Sequence, residues 1–124
     1  FASFKNYMAP GGVFIFDIGT QKHFEQTLGN NVFFQDYEDF TLLWDNEYNP
    51  EDATSTSSMT LFFTDDGEKY YRTDGEIVER YYPEVLFKHL GEKYGMELVA
   101  VHGDLSFGAP DAEDERMFFV FRKI

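Results

Sequence analysis

The sequence predicts an α/β fold interrupted by an antiparallel β insertion, and three observations carry that prediction. Met8-Ala9-Pro10-Gly11-Gly12-Val13-Phe14-Ile15-Phe16-Asp17 is a tight turn leading into an unbroken apolar run. Residues 32–82 then read as strands joined by polar turns. Residues 83–122 return to helix, strand, loop and strand.

Phe1, Phe4, Tyr7 and Met8 recur at the spacing of one helix face, so the chain opens on the last turns of a helix. Proline fixes φ and glycine tolerates positive φ, which makes Pro10-Gly11-Gly12 a turn. Residues 13–18 lack polar alternation, the pattern of a strand buried on both faces inside a parallel sheet. Asp17 puts a carboxylate where that strand ends, and open α/β sheets bind ligands beyond the carboxyl ends of their strands. A central strand so early, with almost nothing before it to pair with, reads as the back portion of a larger α/β protein. Thr20 is placed to cap a helix over 21–28, which Gly29 ends.

Within the insertion, residues 40–48 alternate in part and 57–64 are strand-like. Asp65-Asp66-Gly67-Glu68 carries the Asp-Gly signature of a primed hairpin turn. Residues 68–82 resume strand character, with Gly75 marking a bulge. Pro83 opens a helix in the favoured first position. Val85, Leu86, Leu90 and Tyr94 form its apolar stripe, and Gly95 stops it. Residues 96–101 and 116–122 are strands on either side of a polar loop over 104–114. No helix lies between them, so they pair antiparallel.

One domain, or a piece of one, fits in 124 residues, enough to bury a modest core. A hydrophobic fraction of 43% with 19% aromatic residues marks a globular chain rather than a disordered one. Fifteen Phe and eight Tyr exceed what a small core needs, so the surplus lines a ligand cleft or a face that more protein covers. The net charge of −13 is concentrated at Asp36, Glu38, Asp39, Asp45, Glu47, Glu51 and Asp52, with no Lys or Arg among them. Such a surface repels phosphate backbones, which argues against direct nucleic-acid binding. It reads as a solvated face rather than a metal site. Without cysteine there are no disulfides, no thiolate zinc sites and no Cys nucleophile. His23, His89 and His102 have no partner at metal-ligand spacing, and His23 and His89 read as surface or boundary residues of helices. Ser55, Ser57 and Ser58 belong to no nucleophile-elbow motif. No apolar run reaches membrane-spanning length and no amino-terminal signal is visible, so a cytoplasmic protein without membrane contact is expected.

The order of elements, with the Met8-Ala9-Pro10-Gly11-Gly12 turn, resembles the carboxyl-terminal part of a class I S-adenosylmethionine-dependent methyltransferase. In that Rossmann-like family a Pro-Gly-Gly turn leads into the fifth of seven strands, and an antiparallel seventh strand closes the sheet. The resemblance assigns the fifth strand to residues 13–17, the sixth to 96–101 and the seventh to 116–122. It extends to a group of small bacterial methyltransferases with an antiparallel insertion after the fifth strand, at Phe16-Asp17-Ile18-Gly19-Thr20, Trp44-Asp45-Asn46-Glu47-Tyr48, Leu61-Phe62-Phe63, Glu79-Arg80-Tyr81-Tyr82 and Gly103-Asp104-Leu105-Ser106-Phe107. That group usually has Asn where Gly19 stands and often His where Ile77 stands. The family's Gly-rich cofactor loop follows its first strand and its acidic ribose partner ends its second. Neither is found here, and no Gly-x-Gly occurs in the sequence.

The resemblance therefore implies a fragment: residues 1–31 and 83–124 from the methyltransferase core, and 32–82 an insert able to act as a substrate lid. It implies S-adenosyl-L-methionine as the parent protein's cofactor, no cofactor-binding residue in this segment, and no activity of the segment alone. Its implied partners are a small-molecule acceptor and the missing amino-terminal half of the same protein; separately, an exposed strand at a sheet edge seeks a partner, which predicts a second copy paired through that edge. The rival reading is a non-catalytic α+β module that binds a ligand or protein on its aromatic sheet.

Asp17 is the candidate catalytic residue, orienting an acceptor hydroxyl or amine, or else a turn cap bonded to Thr20. Trp44, Asn46 and Tyr48 share one strand face that suits a flat or cationic acceptor, or that packs the insert. Arg80 and Tyr82 share a face suited to an anionic acceptor, with Tyr71 a weaker version of the same idea. Thr20 and His102, near strand ends, complete the candidate substrate residues.

Overall fold

The computed structural model describes residues Phe1–Ile124. Its elements are α1 (Ala2–Tyr7), β1 (Val13–Gly19), a π-helix (His23–Leu28), β2 (Val32–Asp36), β3 (Phe40–Asn49), β4 (Thr54–Phe63), β5 (Tyr71–Arg80), α2 (Glu84–Lys93), β6 (Met96–His102) and β7 (Arg116–Lys123). They form two compact units, Phe1–His23 with Tyr82–Ile124, and Phe24–Tyr81.

In the first unit the sheet order is β1-β7-β6, both pairings antiparallel, so β1 and β6 run parallel to each other. The alternation along β7 sends Met117, Phe119 and Phe121 to one face, where with Met96 they form the core. Phe119 and Phe121 are completely buried. Phe16 stacks on Phe119 at 5.2 Å between ring centres, and Phe1 meets Phe121 edge-on at 5.2 Å. Phe87 of α2 closes the same cluster against Phe16 and Phe119. Each such ring contributes about 1.5–3 kcal/mol by leaving water. Gly91 lets α2 approach, since a Cβ there would strike the Phe121 ring. Gly91→Ala is therefore expected to cost about 1–3 kcal/mol by overpacking, read as a lower urea midpoint at unchanged slope.

The second unit is an antiparallel meander, β2-β3-β4-β5. Its β3–β4 register runs unbroken from Phe40↔Phe63 to Asn49↔Thr54. Phe24 and Leu28 of the π-helix are its buried large side chains.

Several expectations need correction. β1 is not buried on both faces: Phe14 and Phe16 point to the core, while Val13 (59% exposed) and Ile15 (61%) point away from it. β1 is an edge strand of its sheet. The helix after Thr20 is a π-helix, closed by the wide Gly29 N–H to Phe24 C=O bond. Gly75 is no bulge, because it pairs in register with Met59; the register shift lies between Leu98 and Ala100. The turn at Asp66-Gly67 is not a two-residue primed turn. Only Gly67 takes positive φ, and the Asp66 carboxylate holds the loop open by accepting the Glu68 and Lys69 amides at 2.9 Å. Those bonds, Lys69 first, hold the Asp66 carboxyl below its usual range. Pro83 is the N-cap of α2 rather than its first residue. Val85 is exposed, because the buried stripe is shifted to Phe87 and Gly91.

Candidate functional site

The carboxyl ends of β1 and β6 and the start of β7 meet at one end of the first unit, since Gly19 pairs with Arg116 and His102 with Phe118. Charged side chains gather there. Asp17 forms an ion pair with Arg116. Asp104 accepts the backbone amides of Glu115 and Arg116, each at 2.7 Å, which pins the loop to the strand. Thr20 is buried, donates its hydroxyl to the Asp114 carbonyl at 2.6 Å and accepts the His23 amide at 3.1 Å. The His23 Nδ1 lies 2.8 Å from a Glu115 carboxylate oxygen. Lys22 sits 3.3 Å from Glu113 and 3.4 Å from Glu115. Those carboxylates, Glu113 foremost, hold the Lys22 ammonium above its usual range. His102 shares the cross-strand row of Asp17 and Phe118, and its Nδ1 lies 3.0 Å from the Phe107 carbonyl.

Asp17 is thus bonded to Arg116, not to Thr20 as a turn cap, and Thr20 caps the loop from Asp114 instead. His23 lies at the boundary between surface and interior, and Glu115 fixes its ring. The sequence reading missed His23, Asp104, Glu115 and Arg116. Register was the available signal: once residues 13–18 and 116–122 pair antiparallel, Arg116 falls beside the end of β1.

In the second unit Trp44, Asn46 and Tyr48 share the more buried face of β3. Trp44 leans on Phe33 at 5.3 Å, and its indole N–H is buried without a hydrogen-bond partner. Asn46 is buried, accepts the Ser57 hydroxyl at 2.6 Å and donates to the Asn31 carbonyl at 3.0 Å. The Tyr48 hydroxyl donates to Glu25 at 3.2 Å. Tyr71 packs on Phe63 at 5.4 Å, and Arg80 ends β5 in solvent. Tyr82 does not share a strand face with Arg80, because β5 stops at Arg80 and Tyr82 belongs to the first unit, edge-on to Phe87.

Burial first, and the Glu25 carboxylate second, raise the Tyr48 phenol above its ordinary value of 10.0. The unfolded chain loses that proton first, so stability of the second unit falls as pH rises past 10. A phenolate absorbance titration is expected to show one tyrosine titrating late, a component absent from Tyr48→Phe.

The cofactor cradle of a methyltransferase does not fit onto these residues. No strand of the chain leads through a glycine loop into a long helix: β1 is followed by Gly19-Thr20 and a six-residue π-helix, and β5 by Tyr81-Tyr82-Pro83 and α2. The carboxylates of Asp17, Glu113 and Glu115 crowd the same end, and they already engage Arg116, Lys22 and His23.

No family model matches the sequence. The chain is 25% identical over 123 residues to the protein named "Putative methyltransferase YqeM" of Bacillus subtilis (strain 168), covering 99% of this chain and 49% of that one. It superposes on an S-adenosylmethionine-dependent methyltransferase from Clostridium acetobutylicum with a TM-score of 0.87 at 28% identity, covering 98% of this chain and 48% of that chain. The CcbJ methyltransferase of Streptomyces caelestis shares the fold at a TM-score of 0.74 and 18% identity, over 99% and 51% of the two chains. The chain spans about half the length of each of these relatives. Over that half it has the fold of the S-adenosylmethionine-dependent methyltransferases, with the strand order of their carboxyl-terminal part and an inserted antiparallel sheet.

Proposed function

We propose that the protein carrying residues 1–124 transfers a methyl group from S-adenosyl-L-methionine to a small-molecule acceptor in the cytoplasm. S-adenosylmethionine supplies the electrophilic methyl, and the residues that hold it lie outside this chain. This segment forms an acceptor-side wall. Residues 1–31 and 83–124 contribute to the core, and 32–82 form an insert that acts as a lid. Asp17 orients the acceptor hydroxyl or amine, with Arg116 fixing its carboxylate. His102 shares the cross-strand row of Asp17, and Thr20 follows Gly19, which pairs with Arg116. Trp44, Asn46, Tyr48, Tyr71, Arg80 and Tyr82 are the further acceptor-binding candidates.

The observation that carries this reading is the polar cluster at the carboxyl end of β1, built on a fold shared with a methyltransferase at 28% identity. Positioning is the main task of a protein wall in such a displacement, so loss of Asp17 should slow turnover more than it weakens acceptor binding. The test is transfer of radiolabel from methyl-labelled S-adenosylmethionine into the small-molecule fraction of a cell extract by the longer protein. Label in that fraction, reduced by Asp17→Asn, is expected. Label in protein or nucleic acid alone, or none, overturns the reading.

A further inference from the structure

β5 is the last strand of the meander and pairs with β4 on one side. It runs in unbroken register from Thr54↔Arg80 to Phe63↔Tyr71, and every one of its ten residues is exposed. It has neither a bulge nor a proline. Its far edge therefore offers a straight row of backbone N–H and C=O groups to another strand. Tyr71, Gly75 and Ile77 stand on one face, and Arg72, Asp74, Glu76, Val78 and Arg80 on the other. The second unit carries three basic side chains against fourteen acidic, and two of the three, Arg72 and Arg80, are on this strand. Arg72 pairs with Asp74 of its own strand at 3.1 Å, whereas Arg80 ends the strand in solvent.

We propose that β5 pairs antiparallel with β5 of a second copy about a two-fold axis through Ile77, which joins the two four-stranded meanders into one sheet. The charge pattern selects both the occupant and the register. A two-fold axis perpendicular to the sheet keeps each face on its own side, so it passes through a residue and not between two. Four such axes pair seven or more residues of β5, those through Asp74, Gly75, Glu76 and Ile77. The axis through Asp74 sets that carboxylate against its own counterpart. The axis through Gly75 sets Asp74 against Glu76. The axis through Glu76 sets Glu76 against itself and Arg72 against Arg80. The axis through Ile77 sets no like charges opposite one another. It brings Arg80 of each copy opposite Asp74 of the other, Val78 opposite Glu76, and Ile77 onto its counterpart.

Charges on an edge strand ordinarily guard it against pairing. On β5 they guard three registers and leave the fourth open. Each copy carries −13, but repulsion between distant exposed charges fades beyond about 8 Å at physiological salt, while the opposed Arg80 and Asp74 sit in contact. This pairing is independent of the methyl-transfer reading.

The test is made in the longer protein. Ile77→Cys is oxidised and the linked peptides are mapped by mass spectrometry. A disulfide joining position 77 of two polypeptides is expected, with none from Glu76→Cys, which the same axis sets against Val78. Sedimentation without oxidant should show a dimer. Asp74→Arg and Arg80→Asp each place like charges opposite one another and should weaken that dimer roughly tenfold, and combining the two should restore it. All four positions are exposed, so the changes leave the unit folded. A monomer, a disulfide at position 76 instead of 77, or a double variant no better than the single ones overturns the proposal.

Discussion

Phe121→Ala is expected to unfold the first unit at physiological temperature while leaving the second folded. Phe121 is completely buried on the middle strand of its sheet. It meets Phe1 edge-on at 5.2 Å and stacks with Phe16 at 6.0 Å. Gly91 of α2 also faces the ring, and it has no side chain to lean into the space left behind. A buried aromatic truncated to alanine costs about 3–5 kcal/mol, and more where the site cannot collapse. Domains of this size hold only about 5–15 kcal/mol in total. The chain has one tryptophan, Trp44, and it lies in the second unit. Tryptophan fluorescence in urea should therefore keep its wild-type midpoint, while amide exchange along β1, β6 and β7 loses protection. A single transition shifted equally in both signals would show that the units melt together.

The second large effect is expected from Asn46→Asp. Asn46 is 3% exposed and works in both directions, accepting from Ser57 and donating to the Asn31 carbonyl. A carboxylate keeps the first bond and turns the second into repulsion between two acceptors. An uncompensated buried charge costs about 3–5 kcal/mol. Burial raises the folded pKa of such an aspartate above its unfolded value of about 3.9. The folded state then holds the proton longer, so the loss grows as pH rises from that value and vanishes below it. Thermal melts should show a large gap between variant and wild type at pH 7 that closes near pH 3.5. A gap independent of pH would mean that shape, not charge, decides at this position.

Much of the fold was legible from local chemistry. Pro10-Gly11-Gly12 fixed where β1 begins, and the missing helix between residues 96–101 and 116–122 fixed the antiparallel pairing of β6 with β7. What escaped was whatever depends on distant partners. An apolar run such as Val13–Gly19 looks the same whether one face or both are covered, and only the packed structure shows Ile15 bare. The π-helix differs from an α-helix by one residue in its hydrogen-bond step, which the spacing of Phe24 and Leu28 does not reveal. Val85 and Phe87 lie two residues apart on α2 and so point to nearly opposite faces, and which of them is buried depends on which face the sheet meets. At the site, Asp17 was readable from the end of its strand. Its partner Arg116 lies ninety-nine residues away and becomes visible only through register.

The most direct test of the methyltransferase assignment is a calorimetric titration of S-adenosylhomocysteine into the longer protein and, in parallel, into residues 1–124. Binding to the longer protein with none to the shorter chain is the predicted result, because no strand of residues 1–124 leads into a helix through the glycine loop that cradles this cofactor. Absence of binding to both would contradict the cofactor assignment. Tight binding to residues 1–124 alone would contradict the location of the cradle.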